Sequence, residues 1–475
     1  MKKKLPNRVR YLEDVMLNRR ICEQVLELAL SRGGDFAELY CEDGRSFSMV
    51  LRSGRIENAG YSRPYGAGLR VYDGTRSIYM FTSDTSDRSL LQLARRAAEA
   101  TTVPGKKDID QLRRMEIPNL HPWKIRTLDV DARSRAELLR AADNAARGAG
   151  KEVQQVTVSM ISRECQVQIC NSEGLFVQDT RMHSRLTCSA VAGDGKENQT
   201  GTTSRGAMRG YELFSEVCNP EEMGREAADS ACRMLKASYC RAGEMPVIIA
   251  GGFGGVIFHE ACGHALEATS VQPGNSVFCG KLGQQIASSC VTAIDDGTIP
   301  NEWGSENVDD EGIPTTRLVL IENGILKNYM VDRFNGRKMG MPSTGSGRRE
   351  SYKYAPTSRM HNTFIAPGQD EEEEMFHTMG EGLYASKLGG GSVNPTTGEF
   401  NFSVTEGYMV RDGKICEPVR GATLIGKGEE ILMRIDRVGR DLKLDQGMCG
   451  SISGSIPVDV GQPTIRVSKM TVGGK

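Results

Sequence analysis

Ile21, Val25, Leu28 and Ala29 recur at helical spacing ahead of Gly33-Gly34, which predicts an opening helix stopped by the glycines. Short runs of β-type residues follow: FAELYC, SFSMVLR, LRVY and SIYMF, the last two flanking Asp73-Gly74. That dipeptide suits a hairpin. A second helix is expected from about Ser86, with Leu90, Leu91, Ala94, Ala97 and Ala98 on one face. Residues 103–130 lack periodicity, contain Pro104, Pro118 and Pro122, and read as a linker.

The order then repeats. A helix is expected over about 131–148, followed by the runs VTVSMIS, CQVQIC, LFVQD and LTCSAVA, with Asp194-Gly195 after the last. The next helix has Asn219 as its N-cap and Pro220 at its first position, a strong start signal. The two Asp-Gly turns are 121 residues apart. An internal helix–strands–helix duplication with halves at 18–102 and 131–237 is therefore expected; two unrelated α+β pieces would give the same pattern.

From Met245 the texture changes. PVIIA reads as a buried strand and GGFGG leads into a helix. Beyond about 315 the pattern is mostly β, with hairpins expected at Asn323-Gly324 and Asp412-Gly413. The acidic stretch DEEEEM near 370–375 reads as a solvated helix start. The expected class is α+β: an N-terminal α/β domain over 1–240 and a β-rich C-terminal domain over 241–475 that carries the helix after GGFGG.

A chain of 475 residues can bury a large core and needs no staples. Its formal net charge of −1 points to neither nucleic acid nor an acidic membrane. The 54 glycines exceed the usual share of about 7% and imply many turns or close backbone approaches. Those at 251–255 and 389–391 could pair with an extended peptide or form plain turns. Thirteen cysteines without paired spacing argue against a disulfide framework and for a reducing cytoplasm. The basic start lacks an apolar stretch and is not expected to be a signal peptide. No apolar run is long enough for a membrane helix.

The candidate chemistry lies in FHEACGHALEA, residues 258–268. Zinc peptidases commonly hold the metal with two histidines four residues apart on a helix. Here His259 and His264 are five apart, which splays them by roughly 140° on a regular helix. A π-type bulge would bring them together. Gly263 makes such a distortion cheaper, since glycine weakens a regular helix by about 1 kcal/mol relative to alanine. Glu260 would point to where a water or substrate sits. Spacing leaves the third ligand open. Cys262 could share the face of His259 on an undistorted helix, excluding His264; Cys449, His361 and His377 are the distant alternatives. Histidines in a core and a salt-bridging glutamate are the plain reading of the same residues.

The chain resembles the TldD/PmbA peptidase family. The resemblance rests on GGFGGVIFHEACGHALE, IDDGTIPNEWGSENVDDEGIPTTRLVLIENGIL, TGSGRRESYKYAPTSRMHNTFIAPG, VRGATLIGKG and DVGQPTIRVSKMTVGGK. The intact HExxxH motif is similar to the TldD-type subunit rather than the PmbA-type (TldE) partner. The resemblance implies zinc held by His259, His264 and Cys449, a dimer that encloses the active site, and proteolysis of small or unfolded polypeptides. The dimer would be a homodimer or a heterodimer with a PmbA/TldE-type chain.

On this reading Glu260 takes a proton from water and passes it to the leaving amine. Tyr352, Arg348, Arg349 and His361 are the candidates for stabilising the oxyanion or binding substrate; a polar cavity wall or a dimer contact is their alternative role. Two other functions compete: a non-catalytic peptide-binding subunit, which has no use for a general base, and a structural zinc protein, which needs a fourth protein ligand.

Overall fold

Four long helices begin on capping side chains. Asn18 caps Arg19–Ala29, Ser86 caps Asp87–Glu99, Asp131 caps Ala132–Gly148 and Asn219 caps Pro220–Lys236, each side chain accepting from a backbone N–H of the first turn. They belong to a computed structural model that describes residues 16–475 apart from 103, 395 and 396. Most of the basic opening stretch lies outside the described residues.

The helices cover one face of an eight-stranded sheet. The order helix, antiparallel strands, helix occurs twice along it. The two sets of strands join where Phe36–Arg52 pairs antiparallel with Val153–Asn171, from Glu38 opposite Asn171 to Arg52 opposite Thr157. Each helix pair keeps its own core beneath this shared sheet. One contains Val25, Leu26, Leu39, Leu69 and Leu90, the other Leu139, Val158, Leu186 and Ala227.

The strands are longer than the sequence pattern predicts. FAELYC and SFSMVLR merge into the single strand Phe36–Arg52, VTVSMIS and CQVQIC into Val153–Asn171, and LFVQD and LTCSAVA into Leu175–Gly193. The predicted breaks fall at polar residues, but several of these are buried against the C-terminal region rather than placed in turns. Arg181 pairs with Asp310 at 2.7 Å and His183 bonds the Trp303 carbonyl at 3.1 Å, while Glu164 pairs with Arg126 of the stretch read as a linker. Burial on both faces removes the alternation that marks a half-exposed strand.

The C-terminal region is built from two β units. Gly382–Val393 pairs with both Gly243–Ile249 and Glu399–Arg411, and Ile465–Gly473 and Thr423–Lys427 complete the ring, so five strands close into a barrel. Closure removes free edges. Beside it lies a six-stranded sheet that ends on the hairpin of Gly454–Gln462 and Lys443–Ser451. The expected turns at Asn323-Gly324 and Asp412-Gly413 are present, the first with a second arm of only Ile325–Leu326. The acidic stretch opens the helix Glu372–Met379. A shared core holds the barrel residues Val247, Leu424 and Val467, the sheet residues Ala293 and Ile321, and Ile257, Phe258 and Ala261 of the helix that follows GGFGG. Among the described residues no helix is long and apolar enough to cross a membrane.

Candidate metal centre

The glycines before the helix serve internal packing. A Cβ on Gly255 would overlap the Gly461 backbone, one on Gly252 the Asp445 carboxylate, and one on Gly254 the Gln462 amide. The helix start therefore lies directly on the 454–462 strand. Phe253 N–H donates to Asp445 Oδ2 at 2.7 Å, tying the same turn to the neighbouring 443–451 strand.

Past Phe258 the helix widens. His259–Gly263 forms a π-helical turn, the distortion that the five-residue spacing requires. Gly263 has a second reason to lack a side chain: a Cβ there would overlap the sulfur of the fully buried Met360. The two imidazoles converge, with ring centroids 5.1 Å apart and planes at 81°.

Cys449 completes a triangle from the edge strand. Its Sγ lies 3.3 Å from His259 Nε2 and 3.2 Å from His264 Nε2. Among the described residues these three form the group whose donor atoms could hold a metal, all within 4.8 Å of one another. Cys262 faces away and lines an apolar void with Ile249, Ile257 and Ile365. His361 is bound to Asp295 and His377 is exposed on the 372–379 helix. Glu260 Oε2 is 3.9 Å from His264 Nε2, and the Glu260 side chain is 33% exposed. His259 and Cys449 are buried. The triangle thus opens toward solvent on the side of the carboxylate.

The electrostatics favour a cation there. Burial pushes the Cys449 thiol up, but His259 and His264 outweigh it and pull it down to about 4. Burial works against a charge on His264, yet Glu267 and Cys449 raise it well above the usual imidazole range. A thiolate and a carboxylate thus draw positive charge onto one imidazole. Glu267 accepts from His264 Nδ1 at 3.1 Å, which leaves Nε2 as the nitrogen facing the thiolate. Two imidazoles and a thiolate are a donor set that suits zinc. Sequence reasoning passed over Glu267, although its place three residues after His264 was a usable signal.

The other candidates have internal partners. Arg348 donates to the Met360 carbonyl at 2.6 Å and to Glu306 at 3.0 Å. Arg349 donates to Glu38 at 2.9 Å and to the Tyr79 hydroxyl at 3.1 Å. The Tyr352 carbonyl accepts from the Tyr79 hydroxyl, and its ring meets Phe81 edge-on at 6.0 Å. His361 Nδ1 lies 3.2 Å from Asp295. The residue of this segment that reaches the triangle is Arg359, which donates to the Cys449 carbonyl.

Comparison with known proteins gives matches along most of the chain. Residues 37–101, 125–235 and 242–474 match the PmbA/TldA metallopeptidase domain 1, central domain and C-terminal domain. The chain is 35% identical over 469 residues to a metalloprotease TldD homolog of Haemophilus influenzae, covering 95% of each chain. A zinc metalloprotease TldD homolog of Saccharolobus solfataricus is 36% identical over 242 residues, 50% of this chain and 54% of that one. The crystal structure of TldE from Thermococcus kodakarensis superposes with a TM-score of 0.76 at 19% identity, covering 96% of this chain and all of that one; at that identity the likeness concerns the fold alone.

Proposed function

The chain belongs to the PmbA/TldD metallopeptidase family, and from that premise we propose that it is a zinc peptidase cleaving extended or unfolded polypeptides. The observation that carries the reading is the meeting of His259 Nε2, His264 Nε2 and Cys449 Sγ with Glu260 on the open side. His259, His264 and Cys449 would hold the ion, in keeping with the name of the Saccharolobus relative. Zinc bound by three protein ligands supplies Lewis acidity and lowers the pKa of a bound water.

The remaining chemistry belongs to the protein. Glu260 accepts the proton of the attacking water and delivers it to the departing amine. Its partial exposure keeps it reachable by water and substrate. Three donors with an exposed fourth side suit catalysis better than a closed structural site. Arg348, Arg349 and His361 are held by Glu306, Glu38 and Asp295 and act with Tyr352 as buried wall and scaffold. The 443–451 strand ends its sheet, so its outer edge offers backbone groups to an extended chain beside Cys449. This pairing reads main chain rather than side chains and predicts broad sequence tolerance.

A second subunit, either another copy or a TldE-type chain, would enclose this edge. The thirteen free thiols favour a reducing cytoplasm as the place of action. The test is metal analysis and a peptide-cleavage assay on the purified chain, alone and with a TldE-type partner. Zinc with hydrolysis in either form supports the proposal; no zinc and no hydrolysis in both would overturn it.

A further inference from the structure

Behind the metal triangle lie two charged side chains that the proposed chemistry does not use. Glu267 and Arg359 are both fully or almost fully buried. Glu267 Oε2 accepts from His264 Nδ1 at 3.1 Å. Arg359 donates through Nη2 to the carbonyl of Cys449, and through Nη1 to Ser453 Oγ and the Gly454 carbonyl, each at 3.0 Å. The guanidinium thus holds Cys449 and the turn that follows it. The two residues also face each other: Arg359 Nε lies 3.9 Å from Glu267 Oε1. Among the described residues neither of those two atoms has a hydrogen-bond partner of its own.

We propose that Glu267 and Arg359 form a buried clamp that sets the position of two metal ligands from behind, His264 through its ring nitrogen and Cys449 through its main chain. The inference rests on the reading of His259, His264 and Cys449 as ligands. The need for such a clamp follows from chain topology. His264 sits at the end of an irregular helix and Cys449 on a sheet edge, and the Phe253 bond to Asp445 ties these elements at the helix start, away from His264. A ligand triangle is useful only if its atoms stay within about 0.5 Å of the productive arrangement. A carboxylate on the far nitrogen of a ligating histidine fixes the tautomer and ring plane. The planar fork of arginine holds several acceptors at once, as a lysine ammonium does not. Glu267 and Arg359 are therefore positioning residues, with no contact to substrate.

The experiment compares wild type with Glu267→Gln, Arg359→Lys and Arg359→Met, using full-length protein whose folding is checked by circular dichroism. Zinc affinity is measured by chelator competition, and cobalt-substituted protein reports ligand geometry through its visible and thiolate charge-transfer bands. The clamp predicts a 10- to 100-fold loss of zinc affinity in Glu267→Gln, the range typical of such outer partners. It predicts an altered cobalt spectrum in every variant, with Arg359→Lys closer to wild type than Arg359→Met. At saturating zinc, kcat should fall while KM stays near wild type. Folded Glu267→Gln and Arg359→Lys proteins with unchanged zinc affinity and cobalt spectra would overturn the clamp. A wild type that binds zinc but cleaves nothing would overturn the peptidase reading alone, with the affinity losses still upholding the clamp. A wild type without zinc affinity would overturn both.

Discussion

The sulfur of Cys449 lies 3.2 Å from Nε2 of His264, across 185 residues of chain. The contact unites a π-turned helix with the edge of a sheet, and it makes Cys449 rather than Cys262 the thiol beside the histidines.

The two cysteines should therefore behave oppositely. Cys449→Ser replaces a thiolate by a poorly ionised hydroxyl and should lower zinc affinity by 100-fold or more. Cys262→Ser places a hydroxyl in an apolar pocket, so it should cost roughly 1–3 kcal/mol of stability and keep zinc. Metal content after dialysis, with thermal unfolding alongside, checks both. Zinc that is lost with Cys262 and kept without Cys449 would refute the ligand assignment.

Gly263→Ala tests the turn itself. Alanine favours a regular helix by about 1 kcal/mol, but its methyl would overlap the buried Met360 sulfur, and overpacking costs about 1–3 kcal/mol. Net destabilisation on the order of 1 kcal/mol is expected, together with weaker zinc binding as the imidazoles separate. A variant as stable as wild type with undiminished zinc would show that the turn does not depend on this glycine.

The sequence carries the parts of this site that are local. The five-residue spacing and Gly263 imply the π turn, the Asn219 cap places the helix that starts at Pro220, and the helices expected from about 86 and 131 begin at Asp87 and Ala132. Long-range contacts leave no such trace. Cys449 could be distinguished from His361 and His377 only through family resemblance, because its partner lies far away in sequence. Arg359 could not be distinguished from Arg348 and Arg349 at all, since only the fold decides which of them meets the metal helix. The merged strands were missed for a related reason: Arg181 and His183 look like solvent-facing residues until the C-terminal region that buries them is present.

Glu260→Gln separates metal binding from chemistry. It preserves the side chain's shape and removes its basicity, so zinc content should remain and hydrolysis should fall by 10²- to 10⁴-fold, the usual weight of general acid–base catalysis. Steady-state cleavage of a fluorogenic peptide measures it. Turnover within a few-fold of wild type would remove Glu260 from the mechanism.

The contact between Arg181 and Glu306, which joins the N-terminal and C-terminal regions, should give acid sensitivity. Burial pushes the Glu306 carboxyl up, but Arg181, Arg348 and His361 outweigh it and hold it at about 2. An unfolded glutamate titrates near 4.3. The depressed pKa therefore adds stability above about pH 4.3, and that contribution disappears as pH falls toward 2. Glu306→Gln leaves Arg348 without its carboxylate, while Arg181 keeps Asp310; the expected loss is on the order of 3 kcal/mol for a buried pair. The gap in Tm between wild type and variant should be widest near neutral pH and shrink through that window. A gap independent of pH would mean that Glu306 acts through packing alone.

The form of the substrate follows from where Cys449 sits. It lies on the last strand of its sheet, and a new strand can add only along that outer edge. A peptide that does so must present a free backbone over several residues. A folded domain must first open locally, at a free-energy cost that can approach its global stability. Met448 and Ile452, 50% and 79% exposed beside the same edge, are apolar surface that a substrate or a second subunit would cover. Enclosure by a second subunit would add a size limit to the backbone requirement. The expected outcome is rapid cleavage of a permanently unfolded protein and little or no cleavage of its native form, by an enzyme whose solution mass is that of a dimer. A digest of the two forms, with light scattering on the enzyme, measures both. Equal cleavage of native and unfolded substrate by a monomer would mean that the metal faces an open cleft.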